Sequence, residues 1–423
     1  MRMLDKEWQL RVSEEILSKK RGEFIRPHYE KYSLANLAST IANHFHKSNK
    51  RAPPINDEPV KEVLEDSETI VFFLLDGLGN QLVNALSRDQ ALKRILNSNH
   101  YARITTVFPS TTTTALASAN TGLLPEQHGI IGHTMYLRKL GVVASLISFS
   151  PVADALRGTL LSGGLNPREL MQGNTIYEEI SEEGISSAVL TKNHYGHSGL
   201  TQMIHSGAEI VTYNVASDML VLLRRLLQAG KHRLIFAYWD AIDIAAHAYG
   251  AGEDEVLAEV RSFFFLLQTE LFKRLGRKLA NRISFFVTGD HGHVTVKSES
   301  RVIANNYPEL LANLQIPPAG DSRASFIKTT SRGDEKVQKF FNRFRNKLEL
   351  IPTDQAIEEG FFGAGKMDKE IREALGNYLI LSKKSNAFIY SYRRRDDFDM
   401  IGYHGGMGED EMLIPMIFGR FSN

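Results

Sequence analysis

The sequence predicts an α/β fold, with a largely parallel central sheet covered by helices on both faces and a small α+β insertion. Two observations carry that expectation. Apolar runs of strand length alternate with helical stretches along most of the chain, and the texture changes between about residues 295 and 399. Continuous apolar runs suit strands buried on both faces, which a parallel sheet between two helix layers provides.

In chain order, residues 1–60 read as a helical lead-in: a charged amphipathic start, then SLANLASTIANHF (Ser33 to Phe45), then the Pro-rich connector RAPPINDEP (Arg51 to Pro59). Five runs read as buried strands: TIVFFLLD (Thr69 to Asp76), ISSAVLT (Ile185 to Thr191), AEIVTY (Ala208 to Tyr213), RLIFAYWD (Arg233 to Asp240) and RISFFVTGD (Arg282 to Asp290). Helical patterns lie between them, as in DMLVLLRRLLQAG (Asp218 to Gly230) and DEVLAEVRSFFFLLQTELFKRL (Asp254 to Leu275). Residues 61–294 and 400–423 are therefore assigned to the core. Residues 295–399 form the insertion, with the strand ASFIKTT, the charged helix DEKVQKFFNRFRNKLEL, then the strands YLILSKK and NAFIYSYRRR. The run RRRDDFD (Arg393 to Asp399) mixes both signs and reads as a solvated loop.

Bulk properties narrow the function. A chain of 423 residues exceeds the size at which one core stops growing, so a core plus a smaller unit is expected. A net charge of +1 gives no long-range attraction to a nucleic-acid polymer or an anionic membrane. The absence of cysteine excludes disulfides, thiolate zinc sites and thiol catalysis. No window approaches the ~18 apolar residues of a membrane span, and the N-terminus lacks the apolar stretch of a signal peptide. The expectation is a cytoplasmic protein.

In open α/β sheets, ligands sit beyond the carboxyl ends of the strands. There the sequence places Asp76, then Asp243 with His247, then Asp290 with His291; His404 follows in the glycine-rich YHGGMG. Asp243 and His247 are four residues apart and share one helix face. Asp290 and His291 can converge only if the chain has already turned, which Gly289 and Gly292 permit. Carboxylate and imidazole without thiolate suit zinc, manganese or another divalent ion, and six such ligands suffice for two ions. Singly, each residue has a plainer reading as a turn residue, a surface ion pair or a hydrogen-bonded histidine. The ordered set is what argues for a metal site. His293, His194, His197 and His205 keep the plainer reading.

One further stretch, FPSTTTTALASANTG (Phe108 to Gly122), spends four threonines just before small residues that suit a helix. A helix starting there would offer free amides and a positive dipole to a phosphate. A threonine alcohol becomes a competent nucleophile when a divalent ion favours its alkoxide. Helix capping accounts for at least two of the four.

Together these motifs resemble the alkaline phosphatase superfamily, and within it the type I phosphodiesterase/nucleotide pyrophosphatase family. LLDGLG, FPSTTTT followed by TGLLPEQHGI, DxxxHxxG, TGDHGH and HGG occur in the family's order from about Thr69 to Met416. The resemblance implies that Thr112 is the nucleophile, being the fifth residue of the FP segment and ten before Gly122. It implies one ion held by Asp243, His247 and His404, and a second held by Asp76, Asp290, His291 and the Thr112 oxygen. Zinc is the expected metal, with manganese or magnesium as alternatives. Thr112 would attack phosphorus, and water would then release the phosphothreonine.

One position departs from the family. Relatives place an asparagine after the HGI turn to bind a phosphoryl oxygen, whereas HGIIGH puts His133 there. An imidazole can still donate a hydrogen bond. In the insertion, Arg323 of GDSR is a candidate substrate clamp, with a surface ion pair as the alternative. The implied substrate is a small phosphorylated molecule, a nucleotide among the candidates. Phosphomonoesterase, phosphonoacetate hydrolase and phosphomutase activities remain open, as does a non-catalytic metal-binding role; a cysteine-dependent sulfatase does not.

Overall fold

The computed structural model describes residues 3–393 and 399–421. Its centre is a seven-stranded sheet. In chain order the strands are Thr69–Leu75 (β1), His100–Thr105 (β2), Ser187–Lys192 (β3), Glu209–Tyr213 (β4), Leu234–Trp239 (β5), Ile283–Gly289 (β6) and Leu413–Arg420 (β7). Their spatial order is β2-β7-β6-β1-β5-β3-β4, and only β7 runs antiparallel to its neighbours. Every residue of β1, β5 and β6 is buried, as strands between two helix layers must be.

The five apolar runs thus form β1 and β3 to β6, within one or two residues of their expected bounds. β2 and β7 complete the sheet beyond β6. β2 has the half-exposed pattern of an edge strand, so HYARIT carries no continuous apolar run.

Two boundaries differ from the sequence expectation. The lead-in was set apart from the core, yet Trp8, Val12, Ile16 and the helix Leu34–Phe45 (α2, following Met3–Ser18, α1) are buried in the same apolar cluster as β1 and β5. A capping box between Ser33 and Asn36 starts α2, and Leu34 to Ala42 are all buried. α2 packs against Thr112–Thr121 (α3), where alanines on both helices allow close approach. The backbone amide of Ile25 also donates to the Met407 carbonyl (2.8 Å), tying the lead-in to the HGGMG loop.

The second difference concerns the insertion. Its sheet is antiparallel and ordered Leu348–Pro352, Tyr378–Ser382, Ala324–Ile327, Ala319–Gly320, Thr134–Leu137, Val142–Ser145, Ser150–Pro151. Three of these strands come from 134–151, and the pairing of Gly320 with Thr134 joins them to the insertion. They are short and half-buried, which leaves little apolar periodicity to read. Of RRRDDFD, residues 394–398 lie outside the described residues. No helix among the described residues is long and apolar enough to cross a membrane.

Candidate active site

Three adjacent strands, β6, β1 and β5, deliver the residues that follow their carboxyl ends to one place. Asp76 follows β1; its amide donates to the Trp239 carbonyl (2.8 Å), and its own carbonyl accepts from the Asp243 amide (3.0 Å). Asp243 and His247 stand on one face of the helix Ala241–Tyr249 (α4), with His247 Nε2 3.2 Å from Asp243 Oδ1. After β6 the chain turns at once, and Asp290 Oδ1 accepts from the amides of His291 and Gly77, each at 2.9 Å. Gly77 has φ +79°, and a Cβ there would lie 2.7 Å from His293 Cε1. Only glycine fits that turn.

The ligand atoms of Asp76, Asp290 and His291 all lie within 4.8 Å of one another, as do those of Asp243, His291, His293 and His404. In the first group, His291 Nε2 is 3.4 Å from Asp76 Oδ1, 3.5 Å from Asp290 Oδ2 and 3.2 Å from Thr112 Oγ1. In the second, His293 Nε2 and His404 Nε2 approach one carboxylate oxygen, Asp243 Oδ1, at 2.9 and 3.7 Å; His247, which belongs to neither group, has its Nε2 3.2 Å from the same oxygen. Three imidazoles are pinned from behind. Nδ1 of His247, His404 and His291 faces the carbonyls of Gly402 (2.8 Å), Ser110 (3.1 Å) and Gly292 (3.2 Å). A carbonyl only accepts, so each Nδ1 carries a proton. His291 and His404, kept neutral by burial, turn an Nε2 lone pair inward as a metal-binding histidine requires, whereas Asp243 raises His247 and accepts from its Nε2.

Electrostatics separate the two groups. Burial, with Asp290 and Asp243 nearby, raises Asp76 well above the usual carboxylate range. Asp290 is raised to about 7, chiefly by burial. Burial also pushes Asp243 up, but His247 and His293 outweigh it and hold Asp243 well below that range. Burial, aided by the neighbouring imidazoles, lowers His291 to about 3 and His404 well below its ordinary value. Asp76 Oδ1 and Asp290 Oδ2 are buried without a hydrogen-bond donor among the described residues. Such oxygens are costly unless a cation meets them, and the donor set here, hard oxygens with neutral imidazole, fits a divalent ion.

The four threonines are each engaged. Thr111 is the N-cap of α3 by backbone conformation, but its hydroxyl donates to Asp321 Oδ1 (2.9 Å) and makes no side-chain cap bond. Thr113 Oγ1 donates to the Gly132 carbonyl (2.8 Å), and Thr114 Oγ1 accepts from the Gly132 amide (2.9 Å). The expected capping role is therefore replaced by bonds that hold the HGIIGH turn against the helix. Thr112 alone points its hydroxyl at the ligand cluster.

Thr112, Asp243, His247, His404, His133 and Asp321 line one cavity of about 310 Å³. A larger open groove of about 1250 Å³ runs along residues 40–65 and α2, and none of the ligand residues lines it. His133 faces the cavity with its amide donating to Asp321 Oδ2 (3.1 Å) and its Nε2 3.4 Å from Ser145 Oγ.

Arg323 corrects the sequence reading. Its guanidinium is sealed from solvent and pairs with Glu411 at 3.0 and 2.6 Å, and it also donates to the Asn386 carbonyl. Glu411 in turn accepts from the amides of Gly406 (2.8 Å) and Gly408 (3.2 Å). Arg323 thus fastens the loop that carries His404 and does not reach the cavity.

Sequence reasoning missed three residues. His293 is buried against Asp243; its place in DHGH, where the chain has left the strand, was the available signal. Tyr238 donates its hydroxyl to Asp76 Oδ2 from inside β5 and carries no signal beyond a strand aromatic. Asp321 sits in a turn whose pairing with Thr134 no local pattern announces.

The model of the family described as type I phosphodiesterase/nucleotide pyrophosphatase matches residues 70–406. Murine ectonucleotide pyrophosphatase/phosphodiesterase 5, solved as an inactive variant in complex with AMP, is 17% identical over 83% of this chain and 88% of its own, with a TM-score of 0.63. The human protein of the same name is 16% identical over 82% and 87%, TM-score 0.61. Phosphonoacetate hydrolase from Sinorhizobium meliloti, in complex with phosphonoformate, is 17% identical over 84% and 90%, TM-score 0.61. No curated protein matches the chain. The family match runs from β1 through α3 and β6 to the His404 loop, short of β7, and includes every ligand residue described above, and so the chain belongs to the type I phosphodiesterase/nucleotide pyrophosphatase family and is a hydrolase of that type.

Proposed function

We propose that the protein hydrolyses small phosphodiesters or nucleotide pyrophosphates through a phosphothreonine at Thr112, with two divalent ions. The observation that carries this reading is the convergence of Thr112 Oγ1 on His291 Nε2 (3.2 Å) beside two donor-less carboxylate oxygens. Asp76, Asp290, His291 and Thr112 would hold one ion; Asp243, His247 and His404 would hold the other. Bound ions there supply charge stabilisation for the attacking and leaving oxygens of an in-line displacement.

The chain's own contributions follow from position. α3 begins at Thr112, so the first helical amides have no partner within the helix and face a phosphate placed at the hydroxyl. The bonds from Thr113 and Thr114 to Gly132 keep that helix start and the His133 turn in one register. His133, from the opposite wall, would donate to a phosphoryl oxygen. The carbonyls behind His247, His291 and His404 fix three imidazoles before substrate arrives, so little reorganisation accompanies the reaction. Zinc is the first metal to try, then manganese and magnesium.

The test is direct. Protein stripped of metal and then loaded with Zn²⁺ or Mn²⁺ should hold close to two ions per chain and cleave bis-p-nitrophenyl phosphate. Thr112→Ala should keep its ions and lose turnover by several orders of magnitude, because the covalent path itself is removed. Full activity after verified metal removal, or an active Thr112→Ala, would overturn the reading. Including p-nitrophenyl phosphate and phosphonoacetate in the panel separates the ester and phosphonate activities.

A further inference from the structure

Asp321 belongs to none of the roles above, yet it lines the cavity with Thr112 and His133. It sits in the turn between the strands Ala319–Gly320 and Ala324–Ile327. Its Oδ1 accepts from Thr111, the residue before Thr112, and its Oδ2 from the His133 amide. Its Cβ lies where a side chain at Gly405 would collide, 2.8 Å from an added Cβ, so the carboxylate is wedged between the nucleophile turn and the His404 loop. Burial raises Asp321 above the ordinary carboxylate range, while His133 and the hydrogen bonds it accepts from Thr111 and the His133 amide favour the ionised form.

On this wall near Asp321, the basic side chains among the described residues are the imidazoles of His133 and His247. Among the described residues, no lysine or arginine lines the cavity; Arg323, two positions on, is sealed against Glu411. Beyond Asp321 the wall is aromatic, with Phe388, Tyr390 and Tyr392. A phosphoryl group seated at Thr112 therefore meets fixed negative charge on this side and a surface suited to an organic substituent.

We propose that Asp321 selects the charge of the substrate's phosphoryl group, admitting the monoanion of a diester and excluding the dianion of a monoester. The inference rests on the reading of Thr112 as the phosphoryl site. A phosphomonoester loses its second proton at about pH 6, so above that it brings one more negative charge than a diester. At separations of a few ångströms and an effective dielectric of about 20, that extra charge is disfavoured more than tenfold.

Asp321→Asn removes the charge and keeps an acceptor for Thr111. Two ratios are measured in the metal-loaded protein at about pH 8.5, well above the ordinary carboxylate range. One is kcat/KM for p-nitrophenyl phosphate over that for bis-p-nitrophenyl phosphate. The other is the affinity for inorganic phosphate over that for dimethyl phosphate, by calorimetry, which needs no turnover. Both ratios should rise by about tenfold or more, and Asp321→Glu should hold them near the wild-type values. A common loss of fold or machinery divides out of each ratio. Equal losses on both substrates, or binding ratios that stay put, would overturn the inference. Asp321→Ser serves the same comparison if the amide variant does not fold. A wild type that turns over neither ester defeats the phosphodiesterase reading, while the binding ratio still decides the role of Asp321.

Discussion

The two halves of the ligand cluster are built from similar residues and carry opposite electrostatics. Around Asp243, His247 and His293 supply hydrogen bonds and favourable potential, and that carboxylate is held well below its usual range. Around Asp76 and Asp290, two carboxylates are buried together with a neutral imidazole, and both are raised. The first half satisfies its carboxylate through its own side chains, leaving His293 Nδ1 without a partner among the described residues. The second is left with two orphaned oxygens and depends on a cation. The nucleophile candidate, Thr112, touches the second half. Need for an ion and place of chemistry therefore coincide.

The largest effect expected from a residue outside both halves is at His133. If it donates to a phosphoryl oxygen, His133→Ala should lower turnover on the order of 10²–10³ with ion content unchanged. His133→Asn should restore much of the loss, since an amide can serve the same oxygen. Unchanged turnover per folded molecule, with only a lower melting temperature, would reduce His133 to a turn residue.

Arg323 tests the frame that holds the imidazole half. Arg323→Met leaves Glu411 buried without its partner, which typically costs about 3–5 kcal/mol of stability. Denaturant unfolding should report that loss. A stable variant that had lost diester turnover would return Arg323 to the role of substrate clamp.

The contrast between the halves also predicts opposite pH responses in metal-free protein. Asp290 is raised to about 7 in the fold, so between the ordinary carboxylate range and that value the fold holds a proton that the unfolded chain has released. Stability from this group is complete below the carboxylate range and is lost as pH rises through about 7. Asp243, held low, contributes stability above that range and loses it as pH falls through its depressed value. The stability of the metal-free protein should fall from mildly acid to mildly alkaline pH, and Asp290→Asn should flatten that slope. A divalent ion replaces the proton and should flatten it too. A metal-free protein that grows steadily more stable over the same window would show the acidic half to be satisfied by something other than a cation.

The central strands were legible because burial on both faces writes an uninterrupted apolar run, and their terminal carboxylates stand out against it. Asp76 and Asp290 are candidates for that reason, Asp243 and His247 for their i, i+4 spacing, His291 for its place beside Asp290, and His404 for its glycine-rich loop. β2 and the short strands of 134–151 could not, because half-exposed pairs leave no period. Asp321 and Tyr238 were invisible for a related cause: each acts through a partner far along the chain. Arg323 misled because a charged residue in a polar turn looks exposed, and only the fold reveals Glu411 beside it. The lead-in was set aside for its composition, although α2 lies against the helix that begins at Thr112.

The claim at the centre of this account is that the acidic half holds its own ion, next to Thr112. Anomalous diffraction from crystals loaded with Zn²⁺ or Mn²⁺ measures it directly. Two peaks are expected, one among Asp76, Asp290, His291 and Thr112, and one among Asp243, His247 and His404. A single peak beside Asp243, with the Asp76 and Asp290 oxygens bonded to each other through a shared proton, would contradict it.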